Sequence, residues 1–241
     1  MSETPSSTFA AVSAAVNALV DDVFGSARTI AESLRTLWDR IEGEGGQPGS
    51  SDLMALRDVV TGELRRKGHL FNGAGVVVAL GVLADNPRFL EWWRSSANSG
   101  RDARRLNVDL NPSSDYFYDY TEMDWFTVPR DEATSWVSGP YLDYTGVDLY
   151  VCTFAVPVTS ARGVFLGIAG VDVPLSRIED ALLPTFTAAP TPLALANSQG
   201  RVVVANHADH VTGSKIRNSA SSPVATLPNT PWSLILLGED G

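Results

Sequence analysis

Apolar residues recur at spacings of three and four from Phe9 to Ile41, through Val12, Val16, Leu19, Val23, Ala27, Ile30, Leu34 and Leu37. The spacing predicts one helix over residues 8–42 with a single apolar seam. At ~1.5 Å per residue such a helix runs for about 50 Å, more than one small domain covers. The seam therefore serves either a dimer contact or packing on the helix's own sheet. Gly, Pro and Ser in "EGEGGQPGSSD" end the pattern. Ser51 or Asp52 is placed to cap a second helix, "LMALRDVVTGELRRKG", with Gly68 at its end. "GVVVALGVL" reads as a buried strand and "PRFLEWWRSS" as a short amphipathic helix, while "RRLNVDL" has strand potential. "SWVSGPYLDY", "DLYVCTFAVPV" and "GVFLGIAGVDV" are β-rich, and the last two, around "TSARG", predict an antiparallel hairpin. "PLSRIEDALLP" predicts a helix with Ser176 and Glu179 as a capping box. After the Pro-rich "TFTAAPTP" come a small hairpin, "LALANSQGRVVVANH", and a last strand, "WSLILL". The expectation is an α+β chain with antiparallel sheet in three parts: helix and linker at 1–50, a main domain at 51–184 and a small half-domain at 185–241.

Composition narrows the possibilities. Hydrophobic residues make up 44% of the 241 positions, enough for a substantial core. The net charge of −10 repels phosphate backbones, so no nucleic-acid partner is expected. The single cysteine, Cys152, lies in an apolar run and is expected to be a buried thiol. The N-terminal stretch lacks a basic n-region and a long uninterrupted apolar run. It is read as neither signal peptide nor membrane span, and a cytoplasmic location with no membrane contact is expected.

Known enzyme constellations are missing. The sequence has no G-x-S-x-G and no G-x-x-x-x-G-K-[ST], and Gly73-x-Gly75 is too short for a dinucleotide fingerprint. Of the histidines His69, His207 and His210, the last two are three apart in an expected loop; a metal centre needs more ligands, and neither metal nor cofactor is expected. Glu122 and Asp124 have no nucleophile beside them for acid–base work.

One region has a chemistry of its own. Tyr116, Phe117, Tyr118, Tyr120, Trp125, Phe126, Trp136, Tyr141, Tyr144 and Tyr150 alternate with Asp115, Asp119, Glu122, Asp124, Asp143 and Asp148. Within it, "DYTEMDWFTVPR" reads as a loop or short strand. Aromatic walls with a few convergent polar groups suit a ligand pocket, and aromatic faces beside carboxylates suit an ammonium ion. Ordinary core plus solvated acids is the alternative for any one residue. Asp172 ends a very apolar strand, where a carboxylate must find a partner, cap the next helix or sit at a mouth.

In "DYFYDYTEMDWF", "WVSGPYLDYTGVDLYVCTFAVPV" and "GVFLGIAGVDVPLSRIEDALLP" the sequence resembles the Cache domains, PAS-like sensors of chemoreceptors and histidine kinases, over about residues 8–184. The tail is similar to a shortened second half of a double Cache domain. The resemblance implies a long N-terminal helix against an antiparallel PAS-like sheet, often paired in dimers. It also implies a site in which the family's Tyr falls on Tyr118, its aromatic pair on Trp125 and Phe126, its later Tyr on Tyr141 and its ammonium-binding Asp on Asp172, with Asp143 close by. The family's carboxylate-binding Arg falls on Met123, which cannot replace a guanidinium; Arg130 is the candidate substitute. The expectation is a non-catalytic, soluble small-molecule sensor favouring an amine or quaternary ammonium ligand, homodimeric through the long helix and read by a separate output protein such as a regulator. The alternatives are an amino-acid sensor with a relocated clamp, or an interaction domain that has lost its ligand.

Overall fold

The computed structural model describes residues 5–67, 70–95, 103–143, 149–216 and 222–237. Gly68, His69, Tyr144 and Asp148, singled out above, lie outside the described residues. Helix α1 runs from Pro5 to Gly43. Val12, Val16, Val23, Ala27, Ile30 and Leu34 of its seam are buried within the chain itself. The dimer expectation therefore loses its support from that seam. By length and composition alone, Phe9–Gly43 is also long and apolar enough to cross a membrane, contrary to the reading of the N-terminal stretch.

Two compact units partition the chain: Val23–Trp136 with Thr153–Val173, and Met1–Asp22 with Val137–Cys152 and Pro174–Gly241. In the former unit a turn of 3₁₀ helix at Asp52–Leu56 leads into helix α2, Arg57–Arg66. Strands β1 (Gly73–Val78), β2 (Leu90–Ser95), β3 (Ala103–Arg105), most of β5 (Leu149–Thr159) and β6 (Phe165–Pro174) follow the order β3-β2-β1-β6-β5. The pairs β1–β2, β1–β6 and β2–β3 are antiparallel. Helix α2 packs on β1 and β2, and Phe24 of α1 meets Phe154 of β5 edge to face, with centroids 5.4 Å apart. The β5–β6 hairpin closes through Ser160, whose N–H donates to Val164 O at 2.9 Å.

Several local expectations change. Within "PRFLEWWRSS", Leu90–Ser95 form strand β2, because pairing with β1 on one side and β3 on the other overrides the helical reading. Glu91 is buried on one face, where its carboxylate accepts from Trp93 Nε1 and Arg105 Nε, each at 2.8 Å. "DYTEMDWFTVPR" is a 3₁₀ turn at Tyr120–Glu122 followed by helix α3, Asp124–Glu132. The Asp119 carboxylate starts the turn by accepting from Thr121 N at 3.1 Å and Thr121 Oγ1 at 2.6 Å. Strand structure in "RRLNVDL" stops at Arg105.

The other unit holds β4 (Trp136–Asp143, from Val137 onward), the first residues of β5, and helix α4, Leu175–Thr187. The capping box does not form: α4 starts after Pro174 with no side-chain cap. Strands β7 (Leu193–Asn197), β8 (Val202–Ala205), β9 (Ser222–Thr226) and β10 (Trp232–Leu236) make a sheet of order β8-β7-β10-β9, with α4 against β8. The β7–β8 turn matches the expected hairpin. Asn197 Oδ1 accepts from Gln199 N and Arg201 N, and Gly200 adopts φ 72°.

Close strand packing puts a limit on side-chain volume at β6. Gly167 pairs with Val78, has φ 135°, and a Cβ there would lie 2.1 Å from Val77 O. Gly167→Ala is expected to destabilise the protein by about 3 kcal/mol or more, through backbone strain and overpacking together, measured as a lower urea midpoint at unchanged m-value.

Candidate ligand site

Strand register assembles the site. β6, β1 and β2 align Asp172, Gly73 and Arg94 in one row, and Gly170, Gly75 and Trp92 in the next. Side chains two residues apart on a strand share a face, so both rows open to the same side of the sheet. The central strand contributes only glycines there, leaving a bare strip between Asp172 and Arg94. The Trp92 indole crosses that strip: a Cβ on Gly73 would lie 2.7 Å from Trp92 Nε1, and one on Gly170 would lie 3.3 Å from its Cη2. The same Cβ on Gly73 would stand 2.8 Å from Asp172 Oδ2.

Asp172 is a buried carboxylate at the edge of this strip. Its Oδ1 accepts from Thr153 Oγ1 at 2.6 Å. Burial pushes its carboxyl above the usual carboxylate range, against the opposing pulls of the Thr153 hydroxyl, the Arg94 charge and the Trp92 indole. Tyr118 shares this environment: burial foremost, then the Asp172 charge, raise its phenol to about 12, while Arg94 opposes them. Tyr118 is held by its backbone N–H, which donates to Asp109 O at 2.7 Å.

Of the residues expected in the site, Tyr118 and Asp172 come together. Trp125 and Phe126 lie on α3 and are both buried; Phe126 packs edge to face with Tyr120, Trp125 and Phe165. Tyr120 sends its hydroxyl to Val78 O at 2.8 Å. Met123 caps α3, its side chain 39% exposed and its carbonyl accepting from Phe126 N and Thr127 N. Arg130 is partly exposed and engages Asp131 at 2.7 Å, so its guanidinium is already committed to a carboxylate. Tyr141 and buried Asp143 lie on β4, in the other unit. His207 and His210 stand edge to face at 5.6 Å, and no cluster of three metal-ligating side chains is found among the described residues.

Trp92, Thr153, Arg94 and the glycine floor were missed by sequence reasoning. Reading "PRFLEWWRSS" as a helix hid the alternation that sends Trp92 and Arg94 to one face. The signal for the floor was present in "GAG", three small residues opening an otherwise branched strand.

Residues 90–180 match the family described as methyl-accepting chemotaxis protein-like, first PDC sensor domain. Over those residues the sequence is similar to a sensor domain of this PAS-like, Cache type. The match contains Trp92, Arg94, Tyr118, Thr153 and Asp172. Solved structures agree on the fold. The chain is similar to methyl-accepting chemotaxis protein X, with 15% identity, a TM-score of 0.61, and 93% of this chain and 94% of that one covered. It is similar to the ligand-binding domain of the Campylobacter jejuni chemoreceptor Tlp3 in complex with 4-methylisoleucine, at 14% identity and TM-score 0.62, covering 95% and 87% of the two chains. A third likeness, at 18% identity and TM-score 0.52 over 92% and 94%, is to the extracellular domain of the putative histidine kinase soHK1S-Z6. Curated proteins gave no match. The expected cytoplasmic location is corrected by these findings: sensor domains of this type are extracytoplasmic parts of receptors and kinases. A lone buried cysteine and an atypical N-terminal stretch were too little to place the chain.

The glycine floor is testable. Gly73→Ala is expected to displace Trp92 and Asp172 and to cost about 1–3 kcal/mol of stability, seen by thermal denaturation, with quenching or shift of tryptophan fluorescence as the indole moves.

Proposed function

We propose that the protein is the extracytoplasmic small-molecule-binding module of a signalling receptor, and that its ligand presents a protonated amine to Asp172. One observation carries this reading: a buried carboxylate beside an indole and a phenol, above a floor stripped of side chains. A buried carboxylate is held charged at a cost, and an arriving ammonium offsets that cost, with aromatic faces adding cation–π attraction. The Met123 side chain offers nothing to a carboxylate. Function on this reading is recognition, with the signal passed to an output partner. The α1 face bearing exposed Ala11, Ala14 and Ala18 is the surface by which two copies would pair.

A second reading is favoured by Arg94. It stands in the same row as Asp172, one bare strand away, and supports an α-amino acid ligand whose ammonium meets Asp172 and whose carboxylate meets Arg94. The Tlp3 ligand-binding domain, which the fold resembles, is solved in complex with 4-methylisoleucine and with L-norvaline.

Thermal shift with butylamine and L-norvaline, which differ by a carboxylate, separates the two. A ligand at a hundred times its dissociation constant adds about 2.7 kcal/mol. A shift with butylamine supports the amine reading. A shift with L-norvaline alone, abolished in Arg94→Ala, supports the amino-acid reading. Silence with both overturns the two together.

Asp172→Asn keeps an oxygen for Thr153 and removes the charge. The folded carboxyl titrates above its ordinary value of 3.8, so its stabilising contribution is complete below that value and is lost as pH rises through the raised one. Asp172→Asn is therefore expected to melt higher than wild type at pH 7, to lose that advantage below the ordinary carboxylate value, and to bind no amine. Wild-type affinity for an ammonium strengthens by about tenfold for each unit that pH rises toward the raised value, and levels above it. Amine binding by Asp172→Asn at wild-type strength would remove Asp172 from the site.

A further inference from the structure

We propose that an open groove of ≈ 580 Å³ beside α1 is a second binding site, taking a small organic monocarboxylate with an apolar body. Its lining shares no residue with the Asp172 rows. The volume falls within the ~300–1,000 Å³ typical of small-molecule sites.

Three elements build it: Arg28, Glu32 and Arg35 of α1, Ser135 in the connection after α3, and Val156 and Val158 of β5. Positions 28, 32 and 35 are four and three apart, so they share one face of the helix. Their charges are not equivalent. Arg35 donates to both carboxylate oxygens of Glu32 at 2.7 Å, and those two charges answer each other. Arg28 rests over the Phe24 ring at 5.9 Å, and no carboxylate among the described residues forms an ion pair with it. The groove thus presents one guanidinium in excess, on an otherwise acidic protein of net charge −10. Ala31, Ala133 and Pro157 supply the groove's apolar surface, while Val156 and Val158 are buried beneath it; Pro157 also brings no N–H that would need a partner.

That inventory selects the ligand class. One unmatched guanidinium binds one carboxylate, bidentately. Glu32 repels a second negative charge, which disfavours phosphates and dicarboxylates. The alanine and proline surface favours a ligand whose remaining body is apolar, and the Ser135 hydroxyl can donate to the carboxylate.

Amide NMR titration with sodium benzoate tests this, with benzamide as the uncharged counterpart of the same shape. Benzoate is expected to give saturable shifts at Thr134, Ser135 and Thr159, and benzamide none. Arg28 is exposed, so Arg28→Ala leaves the fold intact; it should weaken benzoate at least about tenfold, with partial recovery in Arg28→Lys. Asp172→Asn should leave benzoate unchanged, which separates this site from the one above. Absence of saturable benzoate shifts, equal shifts with benzamide, or an unchanged titration in Arg28→Ala each overturns the proposal.

Discussion

A carboxylate inside a sheet is the constraint around which the main unit is organised. Asp172 is buried near the end of β6, where an isolated charge is unfavourable. Its environment makes the charge tolerable without neutralising it: a hydroxyl on β5, an indole from β2, a phenol in its field, and a guanidinium in the same row, one strand away. The carboxyl still titrates above its usual range, so burial outweighs the sum of these partners. A group kept in that state responds strongly to any cation placed against it, which is what a sensing site requires.

The glycines follow from this constraint. For Trp92 to reach Asp172 across an intervening strand, that strand must present no side chain, and Gly73 and Gly75 meet the condition. Glycine in a strand interior weakens the strand. The loss is recovered by the packing of the indole over the bare strip and by the backbone pairing of β1 with both neighbours. The aromatic segment is placed by a different device. Tyr120 donates to the Val78 carbonyl, and Phe126 is wedged among Tyr120, Trp125 and Phe165. The Trp–Phe pair thereby belongs to the packing of α3.

The two proposed sites use opposite electrostatic strategies. At Asp172 a charge is buried and its proton affinity rises. In the groove beside α1 the charges are solvent-exposed, and selectivity rests on which of two arginines already has a carboxylate. In an acidic protein, net charge predicts only the former preference; the latter depends on the pairing of Arg35 with Glu32 one helical turn from Arg28.

Much of the fold was legible in the residues. The period of α1, the β5–β6 hairpin, the Gly200 turn and the last strand follow from spacing and turn chemistry, which act over a few residues. Asp172 declared itself by standing in an apolar run. The sequence by itself therefore determined the α+β class, the long helix and two members of the candidate site, Tyr118 and Asp172. Tertiary structure decided the rest. Leu90–Ser95 form a strand because β1 and β3 pair with it and Glu91 finds Arg105, facts invisible to local periodicity. Trp92, Thr153 and Arg94 enter the candidate site only because antiparallel register aligns segments far apart in the chain. Whether the seam of α1 faced a partner or its own domain was likewise undecidable from spacing, since an apolar stripe records that it is covered and carries no information on what covers it.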